Sequence, residues 1–247
     1  MVREVHHHVG VGIIESEETK EFLFGVYDDT FPKIIYQGRI NFIGGNHDPG
    51  DSSPLNLFQR EINEEFKAEV TEQKGIDKNL VELVGEGMGA RTIRNFAPEE
   101  DIEVIRESIL TSSKPFKDYF ITVPAINGKL EYNVVYSVFL SKIPQESFEI
   151  ARKNLYKGKS IKCGGLARIS SAEEISKGVI LNKEGTPEFM LKKNVLLAAA
   201  GTPVIMQDYL GIPVSNPESI RVEPLDNPRP SFKDYFAEFI YTIPFNR

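Results

Sequence analysis

Three glutamates stand close together in the sequence, and their spacing is the first indication of chemistry. Glu61, Glu64 and Glu65 are three and four residues apart, so in a helix their carboxylates share one face. Like charges that close repel each other, and a hard divalent cation such as Mg²⁺ or Mn²⁺ would neutralise them through oxygen ligands. The alternative interpretation is a charged helix face that only meets solvent, as most charge runs do.

The segment that contains these glutamates carries a family resemblance. It runs from Gly45 to Glu65 and ends in the letters REINEE. This segment resembles the Nudix box, the loop and helix of Mg²⁺-dependent hydrolases that cleave a diphosphate linked to another moiety. Three features depart from the family pattern. Asp51 stands for a glutamate, the loop from Asp51 to Arg60 is one residue longer, and Lys67 stands for a glycine.

The resemblance implies a fold, a reaction and a ligand set. The fold would be α/β, a Nudix-like α/β/α sandwich with a mixed sheet, plus an insertion and a C-terminal extension. The reaction would be hydrolysis of a diphosphate bond in a nucleoside diphosphate linked to another moiety, with Mg²⁺, or alternatively Mn²⁺, as the cofactor. The metal ligands would be the backbone carbonyl of Gly45 and the carboxylates of Glu61, Glu64 and Glu65.

The resemblance also implies two catalytic roles. Arg60 would hold a glutamate in place rather than touch the substrate. Glu64 would be the general base, with an acid among Glu99, Glu100 and Asp101 as the alternative, because the base has no fixed position in the family. Two other functions remain open. One is a catalytically weak Nudix-like module that binds or regulates a ligand, and the other is an interaction protein whose aromatic tail forms a dimer.

The helix that would present the glutamates has a clear start and an apolar stripe. Ser53 can cap its N-terminus, and Pro54 suits its first turn. The apolar stripe consists of Leu55, Phe58, Ile62, Phe66 and Val70, which fall on one side of a helical wheel. Because Lys67 replaces the family's glycine, we expect the helix to continue toward Gly75.

Strands are predicted before and after this helix. Alternating residues predict a strand over residues 4 to 14, in which His6 and His8 share a face. A transition-metal pair is one interpretation of these histidines, and a strand whose histidines face solvent or substrate is the favoured one. Residues 21 to 28 and 34 to 43 read as two more strands, and residues 119 to 123 and 132 to 143 as later ones.

Residues 76 to 113 look like an insertion into a domain that spans residues 1 to 212. A helix is predicted from Pro98 to Leu110, because Ile102, Ile105 and Ile109 fall at helical spacing. Arg91 and Arg94 in the same segment are weak candidates for substrate binding, since a guanidinium can hold a phosphate with two hydrogen bonds.

Residues 213 to 247 form a C-terminal extension rich in proline and aromatic residues. The prolines argue against long regular elements in its first half. The apolar residues near Phe232 and Phe239 predict docking, either on the same chain or on a second subunit as a homodimer.

Composition limits the partners and the compartment. The net charge of -7 argues against nucleic acid as a partner, because phosphate backbones require clustered Lys and Arg. No apolar run is long enough to predict a membrane span. Cys163 is the only cysteine, so no disulfide can form within the chain, which suits the cytoplasm. The partner that the resemblance implies is a small-molecule diphosphate.

Overall fold

The helices and strands are taken from a computed structural model that describes most of the chain. The described residues are 3–27, 40–67, 80–84, 91–123, 132–163, 165–177, 179–181, 187–190, 201–211, 221–225, 229–236 and 239–241. The described helices are α1 (Pro54–Glu65), α2 (Glu99–Ser112), α3 (Gln145–Tyr156), α4 (Ala172–Lys177), α5 (Gly201–Leu210) and α6 (Phe232–Phe236). The first seven strands are β1 (Arg3–Val5), β2 (His7–Ser16), β3 (Glu21–Val26), β4 (Ile40–Asn41), β5 (Ile43–Asn46), β6 (Leu80–Val84) and β7 (Arg91–Asn95). The others are β8 (Ser113–Val123), β9 (Tyr132–Ile143), β10 (Leu166–Ser171), β11 (Val179–Leu181), β12 (Pro187–Met190), β13 (Arg221–Leu225) and β14 (Phe239–Tyr241).

An open, mixed sheet of eight strands forms the centre of the molecule. Its main path follows the order β10-β3-β2-β9-β8-β13, while β4 pairs with β3 and β5 pairs with β2. β2 and β9 run parallel, and every other described pair in this sheet is antiparallel. The prediction of an α/β fold with a mixed sheet is confirmed at this level.

Helices cover both faces of the central sheet, because neighbouring residues of β2 point to opposite sides. Ile14 packs into an apolar cluster with residues of α1, α2 and α3. Ile13 packs into a second cluster with Ile175 of α4 and with Ile205 and Met206 of α5. The alternation along one strand therefore builds two separate cores.

Glycines in β2 allow α1 to lie close against the sheet. A Cβ atom at Gly10 would come within 2.2 Å of Leu57, and one at Gly12 within 2.8 Å of Phe58. A side chain at Gly10 would also come within 3.2 Å of the Phe58 backbone nitrogen, and one at Gly12 would displace the buried Phe58 ring, so both glycines are needed for this close packing. Leu57, which lies outside the predicted stripe, is fully buried by this close approach, as is Phe58, which the stripe includes.

The start of α1 agrees with its prediction, and its end does not. The Ser53 hydroxyl accepts a hydrogen bond from the Asn56 N–H at 3.2 Å, and Pro54 is the first helical residue. We expected the helix to continue toward Gly75, but it ends at Glu65. The cause is a distant loop: the Cys163 N–H donates to the Glu65 carbonyl at 2.7 Å and the Cys163 thiol to the Glu64 carbonyl at 2.8 Å. Val70 and Gly75 lie outside the described residues.

The other predicted elements are found with small shifts of their ends. α2 covers the predicted helix, and its three isoleucines are buried. β9 has the predicted bounds, and β8 begins before the predicted residue 119. The predicted first strand is divided at His6 into β1 and β2. The predicted strand over 34 to 43 is described only from residue 40 onward, as parts of β4 and β5.

The C-terminal segments pack on the same chain. β13 extends the central sheet by pairing with β8, and β14 pairs with β1 in parallel. Phe232, Tyr235 and Phe239 form a third apolar cluster with residues that include Val5 and Leu57. None of the described helices is long and apolar enough to cross a membrane.

Candidate functional site

Arg60 joins the loop of the predicted site to its helix. Its guanidinium donates from Nε to Asp51 Oδ1 and from Nη2 to Asp51 Oδ2, both at 3.0 Å, and Nη2 also donates to the Asn46 carbonyl at 2.8 Å. Nη1 lies 2.9 Å from Glu61 and 3.1 Å from Glu64. Arg60 thus contacts both glutamates, and its contact with Asp51 is made through two hydrogen bonds. Its role in holding a glutamate during catalysis stays a prediction.

The Asp51 side chain is buried and forms hydrogen bonds within the loop. It is 4% exposed. Burial raises the pKa of Asp51, but the hydrogen bonds from Arg60 and from the Asp48 N–H outweigh that effect and leave the pKa below its ordinary value. The same partnership raises the pKa of Arg60, so both groups stay charged.

Glu61 occupies the space that a glycine leaves open. A Cβ atom at Gly45 would lie 2.3 Å from the Glu61 carboxylate, so the carboxylate rests against the backbone of β5. The Glu61 side chain is 14% exposed. Burial raises its pKa, the charge of Arg60 opposes the rise, and the charges of Glu64 and Glu65 add to it. Glu61 is therefore a carboxylate whose charge is costly here and would be stabilised by a cation.

Glu64 and Glu65 lie in different surroundings although they are adjacent. The Glu64 side chain is 53% exposed and touches only Arg60 among the charged groups of the described residues. Glu65 is 22% exposed and lies 2.5 Å from the ammonium of Lys162, whose side chain is 4% exposed. Burial raises the pKa of Glu65, the charge of Lys162 opposes the rise, and the charge of Glu64 adds to it.

The donor set fits a hard divalent cation in its chemistry. Glu61, Glu64 and Glu65 offer oxygen ligands on one helical face, and the absence of a side chain at Gly45 makes room for the Glu61 carboxylate. In this structure, however, the carboxylates are paired with Arg60 and Lys162. Within the described part of the chain, no three His, Cys, Asp or Glu side chains converge closely enough to hold a metal ion. Glu65 could act as a ligand only if its contact with Lys162 changed.

The remaining candidates belong to β7 and α2. Arg91 and Arg94 belong to β7, which pairs with β6 in a separate two-stranded sheet, and their side chains lie outside the described residues. Their role in substrate binding stays a prediction. Of the alternative bases in α2, Asp101 accepts a hydrogen bond from Asn154 at 2.8 Å, while Glu99 and Glu100 are exposed.

A second polar cluster lies next to the loop, and the sequence did not reveal it. His8, expected to face solvent or substrate, is 1% exposed, and its Nε2 lies 2.9 Å from Ser137 Oγ. The Tyr235 hydroxyl donates to Asp118 and lies 3.1 Å from Ser137 Oγ. Burial first, then the charges of His47 and Arg229, holds the pKa of His8 well below its ordinary value, so its ring is neutral at pH 7.

The ring of Phe232 connects this buried cluster to the candidate site. It packs against His47 at a centroid distance of 4.1 Å and against His8 at 4.9 Å. His47 directly follows Asn46, whose carbonyl binds Arg60. No sequence signal pointed to this contact or to Lys162, because both depend on residues far apart in the chain being brought together by the fold.

Comparison with known proteins adds no family assignment. No model of a known protein family matches the chain, and no curated protein matches it. The resemblance to the Nudix box therefore rests on the residues of this chain and on their arrangement.

Proposed function

We propose that this protein is a Nudix-type, Mg²⁺-dependent hydrolase that cleaves a diphosphate bond in a nucleoside diphosphate linked to another moiety. The observation that carries the proposal is the bidentate contact of Arg60 with the buried Asp51, beside a Glu61 carboxylate seated against Gly45. If this helix face only met solvent, we would expect its carboxylates to be exposed. Instead, Asp51 is buried and the Glu61 carboxylate packs against Gly45. The proposal includes a Nudix-like version of the α/β fold and a cytoplasmic location.

The exposure of Arg60, Glu61 and Glu64 indicates a different role for each side chain. Arg60 holds the loop and the helix together, so that Glu61 stays beside Gly45 and Glu64 stays at the surface. Glu64 is exposed enough to reach a water molecule and take its proton, which is the role of a general base. Bound Mg²⁺ would neutralise charge on the diphosphate and lower the pKa of the attacking water.

The first experiment measures hydrolysis by the purified protein. With Mg²⁺ and a panel of nucleoside diphosphate derivatives, we expect phosphate-bearing products from at least one member. Glu64→Gln should reduce kcat by about 10²-fold or more if Glu64 is the general base. Glu107→Gln changes an exposed glutamate of α2 and should leave kcat unchanged. Absence of products from every member, or equal rates for the two variants, would refute the corresponding part of the proposal.

A second function is favoured by one contact. Because Lys162 lies 2.5 Å from Glu65, one of the predicted ligands already has a cation beside it. A catalytically weak Nudix-like module that binds a diphosphate ligand would retain this arrangement. Calorimetric titration with a non-hydrolysable diphosphate separates the two functions: binding without turnover of the matching hydrolysable compound identifies the module.

A further inference from the structure

Lys162 is a buried ammonium placed beside the candidate site. Its side chain is 4% exposed, and Nζ lies 2.5 Å from Glu65 Oε2 and donates to the Cys163 carbonyl at 2.7 Å. Lysine is almost never buried this fully unless its charge is paired. The pairing partner is the glutamate that completes the predicted ligand set.

The position of Lys162 is fixed by its backbone. The next residue, Cys163, donates from its N–H to the Glu65 carbonyl and from its thiol to the Glu64 carbonyl. The preceding residue, Ile161, is fully buried in the same apolar cluster as Phe58 and Ile62 of α1. Cys163 thus ties the loop to the end of α1 and Ile161 anchors it in the core, so the backbone on both sides of Lys162 is fixed while α1 is folded.

The contact between Lys162 and Glu65 joins opposite charges away from water. Glu65 Oε2 is fully buried, and Nζ of Lys162 lies 2.5 Å from it. A divalent cation would compete with the ammonium for this oxygen, because carboxylate oxygens are the ligands that hard divalent cations prefer.

We propose that Lys162 is a built-in counter-cation for Glu65 that competes with Mg²⁺ and so sets the metal affinity of the site. The inference rests on the proposed function, because it takes Glu65 as a ligand. With no metal bound, the ammonium offsets the charge of Glu65 beside Glu64. When metal binds, Glu65 turns from the ammonium to the metal, and the repulsion between the two cations weakens metal binding.

Direct metal binding tests the proposal without any reference to activity. The free Mn²⁺ signal in electron paramagnetic resonance gives the affinity of the full-length wild type, Lys162→Gln and Lys162→Arg. Removing the competing charge should tighten Mn²⁺ binding by about tenfold or more in Lys162→Gln. Lys162→Arg keeps the charge and should stay close to the wild type.

A second measurement needs no variant and so does not depend on one that folds poorly. An amine-reactive acetylating reagent is applied to the wild type with and without Mn²⁺, and modification of Lys162 is followed by peptide mass spectrometry. If metal releases the ammonium from Glu65, Lys162 should react several times faster with Mn²⁺. Lys117, which pairs with Asp208 at 2.7 Å on the surface, should react at the same rate in both samples.

The possible results separate this inference from the function on which it rests. Equal Mn²⁺ affinities in the wild type and Lys162→Gln, with no change in Lys162 reactivity, overturn the counter-cation and leave the hydrolase standing. If Lys162→Gln does not fold, an unchanged reactivity overturns the inference by itself. Mn²⁺ bound by none of the three proteins overturns both proposals.

Discussion

Arg60 is the residue through which the loop and the helix of the candidate site hold each other. Its guanidinium contacts oxygen atoms of Asn46, Asp51, Glu61 and Glu64. Because the planar group offers several donors in a fixed arrangement, lysine could not make the same set of contacts. The stability of the loop and the position of both glutamates therefore depend on this one side chain.

Replacing Arg60 should lower the free energy of unfolding more than replacing an arginine that contacts only exposed residues. In Arg60→Met the buried carboxylate of Asp51 loses its partner, and we expect the free energy of unfolding to fall by about 2–4 kcal/mol. Arg106→Met removes contacts with the exposed Glu103 and Glu107 and should cost less than about 1 kcal/mol. Urea denaturation measures both values. Equal losses in the two variants would show that Asp51 does not need Arg60.

Glu61 should make the folded chain less stable as the pH rises. Its pKa is raised in the folded chain, mainly by burial, so the folded state holds the proton more tightly than the unfolded state. Stability is then lost as the pH rises from the unfolded pKa, about 4.3, through the folded one. At pH 7 the ionised Glu61 side chain therefore lowers the free energy of unfolding.

The isosteric change Glu61→Gln removes that cost. We expect the variant to be more stable than the wild type at pH 7, by about 0.5–1 kcal/mol, and to lose its advantage below about pH 4. Chemical denaturation at several pH values gives the comparison. Glu107→Gln, at an exposed position, should show no such pH-dependent gain. A Glu61→Gln protein that is less stable at pH 7 than at pH 4, relative to the wild type, would contradict the expectation.

At the scale of elements, the site depends on how closely β5 and α1 approach each other. Gly45 lies in β5, and the Glu61 carboxylate of α1 fills the space beside it. The atoms that a methyl group would meet belong to the flexible end of a side chain, so α1 itself need not move. A substitution at this glycine should therefore displace the carboxylate while leaving the fold nearly intact.

Gly45→Ala tests whether the Glu61 carboxylate can be displaced without loss of protein stability. We expect the free energy of unfolding to change by less than about 1 kcal/mol, while kcat/KM on the cleaved substrate falls by about tenfold or more because Glu61 is displaced. Gly50→Ala is the matched control, since its added methyl group would meet only Asp48, at 3.6 Å. Comparable activity in the two variants would mean that the place of Glu61 beside Gly45 is unimportant.

At the scale of the whole molecule, the C-terminal segments complete the structure around β1, β8 and β9. Tyr235 supports a buried carboxyl group, because its hydroxyl donates a hydrogen bond to Asp118, a residue with no exposed surface. Burial raises the pKa of Asp118, and the hydrogen bond from Tyr235 opposes the rise. Losing that donor leaves a buried carboxyl group without its main support.

Tyr235→Phe should therefore lower the free energy of unfolding by about 1–3 kcal/mol. Tyr119→Phe is the comparison, because the Tyr119 hydroxyl donates to Asp208, whose side chain is 35% exposed and can bind water instead. We expect that variant to lose less than about 1 kcal/mol. Thermal and urea denaturation measure both, and a smaller loss for Tyr235→Phe than for Tyr119→Phe would contradict the prediction. Homodimer formation stays a prediction, and light scattering of the full chain tests it.

Local signals predicted the parts of this protein that depend on neighbouring residues. Ser53, Pro54 and the spacing of Phe58 and Ile62 were enough to place the start and buried face of α1. The end of α1 could not be predicted, because Cys163 lies far along the chain and meets the helix only in the folded protein.

The candidate site also contains features that the sequence could predict and features that it could not. The glutamates and their shared face could be predicted from spacing on a helix. Lys162 and the burial of His8 could not, since a lysine or a histidine in the sequence carries no sign of the partner that it will meet. The positive charge beside Glu65 comes from such a long-range contact, with Lys162.

The pairing of β1 with β14 constrains how the chain can reach its native state. Arg3 lies opposite Phe239 in this pair, so two strands that are far apart in the sequence must meet before this edge is covered. Until then, Val5 and its apolar neighbours are open to wrong partners. Such non-local closure predicts slow refolding in competition with aggregation, which stopped-flow fluorescence at several protein concentrations would reveal.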